Sequence, residues 1–252
     1  MRIVVVGGSG LIGSKLMTKL SEHGQEAVNA SLDTGVNLLT GVGLSEVLTG
    51  ADVVVDVSNS PSLEGEAALS FFQAATGNVL AAEVNAGVKH HVALSVVGTD
   101  RLPESGYMRA KIAQEKLITE STIPYSIVHA TQFFEFVKGI ADGATDGNTV
   151  RLAPVLVQPM AADDVASAME QVAVGAPRNG IVEVAGPEQF RLDELVHQSL
   201  QARGDSREVV ADVDSRYFGA PLSERTLIPG DGALLGRTRF EDWQTNALAA
   251  EK

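Results

Sequence analysis

The N-terminal segment contains the feature that most constrains the fold, an apolar β-branched run that ends at a cluster of glycines. Ile3–Val6 is followed by Gly7, Gly10 and Gly13, and a helical period begins after them. This spacing allows a tight turn, close approach of backbone to a phosphate, and close packing of helix on strand. N–H groups at a helix start favour anions. The alternative is a tight turn without ligand. We expect a dinucleotide to contact Gly7, Gly8, Ser9, Gly10, Leu11, Ile12 and Gly13.

Short apolar segments alternate with helical patterns over most of the chain. The predicted strands are Ile3–Val6, Glu26–Ala30, Val53–Val57, His91–Ser95, Tyr125–His129 and Ile181–Ala185. The predicted helices are Leu11–Glu22, Leu44–Leu48, Glu64–Asn85, Ser105–Glu120, Ala162–Val174 and Leu192–Ala202. Such alternation predicts an α/β fold with a Rossmann-like, doubly wound parallel sheet.

The C-terminal part of the chain has weaker periodicity and more prolines. We therefore interpret residues 1–252 as a single dinucleotide-binding domain in which 132–159 and 204–252 form a small substrate-covering portion. The oligomeric state, monomer or homodimer, stays open.

Composition excludes several classes of function. The chain has no cysteine, which excludes disulfides and thiolate metal sites. Its net charge of −13 disfavours nucleic-acid binding. No apolar run reaches the ~20 residues of a membrane span, and the N-terminal segment reads as a strand rather than a signal peptide. We expect a cytoplasmic protein that acts on a small molecule, without a membrane or nucleic-acid partner.

A Tyr-x-x-x-Lys pair, Tyr107 and Lys111, lies on the predicted helix Ser105–Glu120. Positions i and i+4 share one helix face, and an ammonium beside a phenol lowers its pKa. Ser95 ends the preceding strand, at the sheet edge where open α/β folds bind ligands. Together these side chains could exchange a proton with a carbonyl substrate. The alternative for the pair is an ordinary amphipathic helix.

Gly7–Gly13, Ser95, Tyr107 and Lys111, in this order, resemble the motifs of short-chain dehydrogenase/reductases, in particular the atypical, NmrA-like branch. Further resemblance extends over nearly the whole chain, in the segments 123–133, 158–166 and 182–188. His129 stands where this branch usually has arginine.

The resemblance implies an NAD(P)-dependent oxidoreductase that reduces a carbonyl or quinone-like molecule. Ser95, Tyr107 and Lys111 would be catalytic, and Lys111 would also hold the cofactor ribose. Ala130 and Thr131 would border the nicotinamide. The substrate would contact Val97, Gln132, Phe133 and Phe134. Two alternatives remain, a nucleotide-binding redox sensor without turnover and an NAD(P)-dependent sugar epimerase or isomerase.

The choice between NADP and NAD depends on the end of the second strand. NAD sites often place an acid there for the ribose 2′-hydroxyl. Here Ser31 occupies the tip and Asp33 follows two residues later, which favours NADP over NAD. After the third strand, Ser58, Asn59 and Ser60 are expected near the adenosine half of the cofactor.

Two polar pairs suggest a metal site only superficially. His90 and His91 are adjacent on a strand, so they point to opposite faces. Asp163 and Asp164 stand at a predicted helix start, where carboxylates complement the dipole. We therefore expect no metal.

Overall fold

The computed structural model describes residues 1–250, with a parallel seven-stranded sheet at its centre. The strands of this sheet are β1 (Arg2–Val6), β2 (Glu26–Ala30), β3 (Val53–Asp56), β4 (His90–Val96), β5 (Tyr125–Ala130), β9 (Gly180–Ala185) and β14 (Leu234–Leu235). Their order is β14-β9-β5-β4-β3-β1-β2. The chain moves from β1 outward to β2 and then returns to β3 on the other side of β1. This reversal places a topological switch point between β1 and β3, where open α/β sheets bind ligands.

Helices cover both faces of the sheet. On one face α1 (Leu11–Glu22) packs against α6 (Ala162–Val174). The other face carries α2 (Leu44–Val47), α3 (Gly65–Ala86) and α4 (Gly106–Thr119), and the pair α3–α4 is closely packed. The inner strands β1, β3, β4 and β5 are largely buried, and most of their residues are apolar. The predicted Rossmann-like, doubly wound sheet is confirmed.

The remaining elements build a smaller cluster beside the carboxyl edge of the sheet. Its helices are α5 (Val137–Gly143), α7 (Leu192–Ala202) and α8 (Phe240–Ala250), and its strands are β6 (Thr145–Asp146), β7 (Thr149–Leu152), β8 (Leu156–Val157), β10 (Phe190–Arg191), β11 (Glu208–Ala211), β12 (Arg216–Tyr217) and β13 (Ala220–Pro221). β11 pairs with β7, which joins the two segments assigned to the covering portion. Residues 251–252 of that range lie outside the described residues.

The predicted elements of the core are all present, within one or two residues at each end. The sequence did not predict the helices α5 and α8 or the short strands β6–β8 and β10–β14. β14 has two residues, too few to show a period, and its alignment comes from pairing with β9. No helix within residues 1–250 combines the length and apolar character needed to cross a membrane.

The two polar pairs that resembled metal ligands have other partners. The His90 ring nitrogen lies 2.9 Å from Ser126 Oγ, whereas His91 pairs with Glu83 at 2.7 Å in the interface with α3. Asp163 accepts a bond from Lys19, and Asp164 accepts backbone N–H groups near residue 237. These contacts are structural.

Candidate functional site

The glycine turn after β1 is shaped by backbone contacts that leave no room for side chains. Gly7 has φ +80°, a left-handed conformation that favours glycine, and an added Cβ would lie 3.0 Å from the backbone of Ser58. A Cβ on Gly13 would lie 2.2 Å from the Gly7 carbonyl oxygen. Gly13 therefore lets α1 pack directly on the turn.

Gly10 differs from these two positions because its surroundings are open. An added Cβ would meet one heavy atom of the described chain within 4 Å, the Gly7 carbonyl oxygen at 3.3 Å. Gly10 is also the N-cap of α1, where no side chain of the described residues caps the helix and no acid lies in the first turn. The first N–H groups of α1 are thus free to bind an anion.

Polar side chains close one side of the turn at the tip of β2. The Ser9 hydroxyl donates to both carboxylate oxygens of Asp33, at 2.8 and 2.7 Å, and accepts from the Asn29 amide at 2.8 Å. Ser31 accepts the Ser9 backbone N–H and donates to Asn29. The carboxylate that the sequence assigned to the following loop therefore folds back onto the glycine turn.

The loop after β3 closes the opposite side of the switch point. The buried Asp56 carboxylate accepts the Ser58 N–H at 2.9 Å, which fixes the start of this loop. Asn59 is exposed, and its side-chain oxygen accepts the Ser60 N–H at 2.9 Å and the Tyr107 hydroxyl at 2.9 Å. The loop thereby connects the predicted adenosine region with the predicted catalytic tyrosine.

Tyr107 stands in the first turn of α4, at the carboxyl edge of the sheet. Its ring packs edge-on against Phe72, with centroids 6.3 Å apart. Removal from solvent raises the pKa of Tyr107 to about 12, and the hydrogen bond to Asn59 counters this only in part. The hydroxyl therefore keeps its proton around neutral pH and is a weaker acid than an exposed tyrosine.

Lys111 lies one turn further along α4 but reaches into the core rather than toward the tyrosine hydroxyl. Its ammonium donates to the Leu94 carbonyl at 2.9 Å and to the Gln114 side chain, and it lies 4.5 Å above the Phe72 ring. Gln114 in turn donates to Asp56 at 3.3 Å. The predicted direct effect of this ammonium on the tyrosine pKa is therefore corrected: Lys111 connects instead with the residue that holds the loop after β3.

Ser95 is also buried, and its hydroxyl donates to Glu115 of α4. Glu115 pairs with His129 at 2.9 Å. Burial alone would raise the pKa of Glu115, but His129 and Ser95 together hold it below its usual value. Along α4, Glu115 lies about 12 Å from Tyr107, given a rise of ~1.5 Å per residue. In this arrangement the Ser95 hydroxyl is engaged by Glu115, a partner that sequence reasoning missed.

The predicted substrate residues fall into two groups. Val97 and Phe134 are fully buried, and Phe134 packs against Phe240 and Trp243 at centroid distances of 5.2 and 5.4 Å. Both side chains lie in the core of this structure, and their contact with substrate stays a prediction. Gln132 lies beside Tyr217, and Phe133 stacks with Phe136.

The two residues predicted beside the nicotinamide are both buried at the end of β5. Ala130 is the last residue of the strand, and its carbonyl accepts the Val97 N–H. Thr131 donates its hydroxyl to the Gln158 carbonyl at 2.6 Å. Their backbone lies at the carboxyl edge of the sheet, but the Thr131 hydroxyl is engaged by the Gln158 carbonyl and is not free to bind a cofactor.

The buried ammonium of Lys111 makes stability depend on pH in a defined direction. Burial lowers the pKa of Lys111 from 10.5 to about 8, with Asp56 and Glu115 opposing the shift. Between these values the unfolded chain binds a proton that the folded chain releases, so stability increases as pH rises through this window. We expect Lys111→Met to remove up to about 3 kcal/mol of this increase in urea unfolding between pH about 7 and about 10.

The control is Lys116→Met, which removes an exposed lysine from the same helix. It should leave the pH dependence of wild type unchanged. An identical pH dependence in wild type and Lys111→Met would contradict the buried placement of the ammonium.

Comparison with known proteins supports the architecture described above. No protein-family model matches the chain. A curated relative, the photosystem II assembly factor Ycf39 of Synechocystis sp., is 22% identical over 268 residues, which cover 98% of this chain and 77% of the relative.

Solved structures match over nearly the full length. MoeE5 in complex with UDP-glucose and NAD has a TM-score of 0.74 and 17% identity, with both chains covered completely. A dTDP-4-dehydrorhamnose reductase from Clostridium acetobutylicum has a TM-score of 0.73 and 14% identity, again over both whole chains. The UDP-glucose 4-epimerase of Thermus thermophilus, in complex with NAD, has a TM-score of 0.69 and 18% identity, covering 90% of this chain and 92% of that one. At such low identities the likeness shows the shared fold.

Proposed function

We propose that this chain, which has the fold shared by short-chain reductases and nucleotide-sugar epimerases, binds a nicotinamide dinucleotide and uses it to reduce a carbonyl or quinone-like molecule. The observation that carries the proposal is the turn after β1, which excludes side chains at Gly7 and Gly13 yet leaves open space in front of the uncapped α1. The same space is occupied by a dinucleotide phosphate in the strand–glycine–helix motif. Reduced nicotinamide, when bound, supplies hydride.

The residues around the switch point fit the parts of such a cofactor. The pyrophosphate would contact the backbone of residues 8–12, where N–H groups and the helix dipole favour negative charge. Asp33 and Ser31 would face the adenosine ribose, and Ser58–Ser60 would border the adenosine half. The nicotinamide would then lie toward Tyr107, whose hydroxyl stands at this edge and donates to Asn59.

Tyr107 would donate the proton that completes reduction of a carbonyl. As hydride adds to the carbonyl carbon, negative charge develops on the oxygen, and a positioned hydroxyl neutralises it. Asn59 holds this hydroxyl before substrate binds. Ser95 and Lys111 would support the site through Glu115 and Gln114 rather than touch the substrate.

The position of Asp33 supports NAD rather than the NADP favoured by Ser31. A carboxylate beside the 2′ position accepts hydrogen bonds from a ribose but repels a 2′-phosphate. We expect wild type to bind NADH roughly tenfold or more tightly than NADPH, since one such charge interaction contributes about 1.5–3 kcal/mol. Asp33→Ser should reduce or reverse the preference in calorimetric titrations. Tighter NADPH binding by wild type would instead support the preference predicted from Ser31.

A second function is favoured by one specific observation, the hydrogen bonds of the Lys111 ammonium to the Leu94 carbonyl and the Gln114 side chain. With the ammonium engaged there and not assisting the tyrosine hydroxyl, the chain would bind the dinucleotide and act on a partner protein without turnover. The Synechocystis relative is named as an assembly factor. Assays with quinones and small carbonyl compounds distinguish the two functions. Steady consumption of reduced nicotinamide supports the reductase, whereas tight binding without consumption supports the regulator.

A further inference from the structure

A strained aromatic residue lies next to Tyr107, at the tip of the hairpin formed by β12 and β13. The two turn residues, Phe218 and Gly219, have φ values of +48° and +83°, as a type I′ turn requires. Glycine, asparagine and aspartate suit such positions, whereas a bulky side chain there is strained. The chain thus retains phenylalanine where folding alone would favour a smaller residue.

Two hydrogen bonds from Arg216 and the burial of Tyr217 hold the hairpin in this conformation. Arg216 donates to the Glu104 carboxylate at 2.9 Å and to the Gly219 carbonyl at 2.9 Å. The first bond ties the hairpin to the segment that precedes α4. Tyr217, the residue between Arg216 and Phe218, is buried in the smaller cluster beside the carboxyl edge of the sheet. These contacts place the tip of the hairpin beside the start of α4.

The ring of Phe218 contributes little to the core. Its residue is 42% exposed. The ring lies 6.3 Å from that of Tyr107 at an interplanar angle of 31°, and it meets Tyr217 edge-on at 4.6 Å. An exposed aromatic face therefore stands directly beside the proposed proton donor. Backbone strain combined with exposure points to a role in binding rather than in packing.

We propose that Phe218 is a substrate-positioning residue whose ring stacks on a planar, conjugated substrate and holds its carbonyl oxygen at the Tyr107 hydroxyl. This inference rests on the proposed reductase function and narrows its substrate class to quinones and aryl carbonyl compounds. Offset stacking between the Phe218 ring and the substrate ring attracts the substrate, and the hairpin beside α4 orients it. Aliphatic substrates would gain little from this ring.

Phe218→Asn separates this role from a structural one. The variant removes the ring and places a residue suited to the turn, so we expect the melting temperature to stay the same or rise. The KM for 1,4-naphthoquinone should increase roughly tenfold, given the usual strength of aromatic pairs. Phe218→Trp, which keeps an aromatic face, should retain a KM close to that of wild type. A lowered melting temperature with an unchanged KM would overturn the proposal.

Direct binding keeps this test independent of catalysis. Calorimetry measures 1,4-naphthoquinone binding to the full chain in the presence of NAD, for wild type and Phe218→Asn. Weaker binding by the variant supports the positioning role even if no quinone is turned over, in which case the reductase function alone fails. Equal binding by both proteins, or no binding by wild type, overturns the role of Phe218.

Discussion

Gly10→Val is expected to fold normally and to lose the dinucleotide. Gly10 has an extended backbone, and an added Cβ would approach one backbone atom, the Gly7 carbonyl oxygen at 3.3 Å, so valine requires only a small local adjustment. The isopropyl group would fill the space in front of the first turn of α1. Hydrogen bonds to charged groups contribute about 1.5–3 kcal/mol each, so losing two should weaken NADH binding roughly a hundredfold or more. Calorimetric titration measures the loss, and circular dichroism checks the fold.

Gly77→Val is the matched control for this variant. Gly77 is an exposed position inside α3 with nothing within 4 Å of an added Cβ, away from the turn. The control should bind NADH like wild type. A folded Gly10→Val protein with unchanged affinity would show that the phosphates do not bind at this turn.

Tyr107→Phe should lower turnover by roughly 10²–10⁴-fold, the usual contribution of general acid catalysis. The substitution keeps the ring and its packing on Phe72, and it removes only the hydroxyl. NADH affinity should change little, because the hydroxyl lies at the substrate end of the proposed site. Steady-state kinetics and calorimetry on the same preparation measure both quantities.

Tyr125→Phe provides a chemically identical change at the other edge of the sheet, where β5 begins. It should leave turnover unaffected. Near wild-type turnover in Tyr107→Phe would mean that the substrate takes its proton from water. The site would then consist of the cofactor and a shaped apolar cover, as is possible for a strongly electrophilic quinone.

The core of the fold was predictable because its signals are local. The buried strand β1 is a short apolar run, and α1 begins after a glycine turn in which Gly13 packs on Gly7, six residues away. β14 and the hairpin at Phe218 depend on pairing with distant or very short segments. Their sequences carry no period, so only the assembled structure shows them.

The candidate site was predictable in its location but not in its internal contacts. The spacing of Tyr107 and Lys111 places them on adjacent turns of one helix, but it does not tell where a long, flexible side chain ends. Lys111 extends to Gln114 and the Leu94 carbonyl. Asp33 reaches Ser9 from the single helical turn Leu32–Thr34 that directly follows β2. Leu94 and Ser9 are distant in sequence from the side chains that they contact.

Reductase activity is best tested by comparing NADH consumption by wild type, Gly10→Val and Tyr107→Phe with the same panel of quinones and small carbonyl compounds. We expect wild type to oxidise NADH in a one-to-one ratio with reduced product. Gly10→Val should be inactive at NADH concentrations that saturate wild type, and Tyr107→Phe should bind NADH but turn over slowly. NADH consumption by Gly10→Val at the wild-type rate, or tight NADH binding by wild type with no consumption by any compound, would contradict the proposed function.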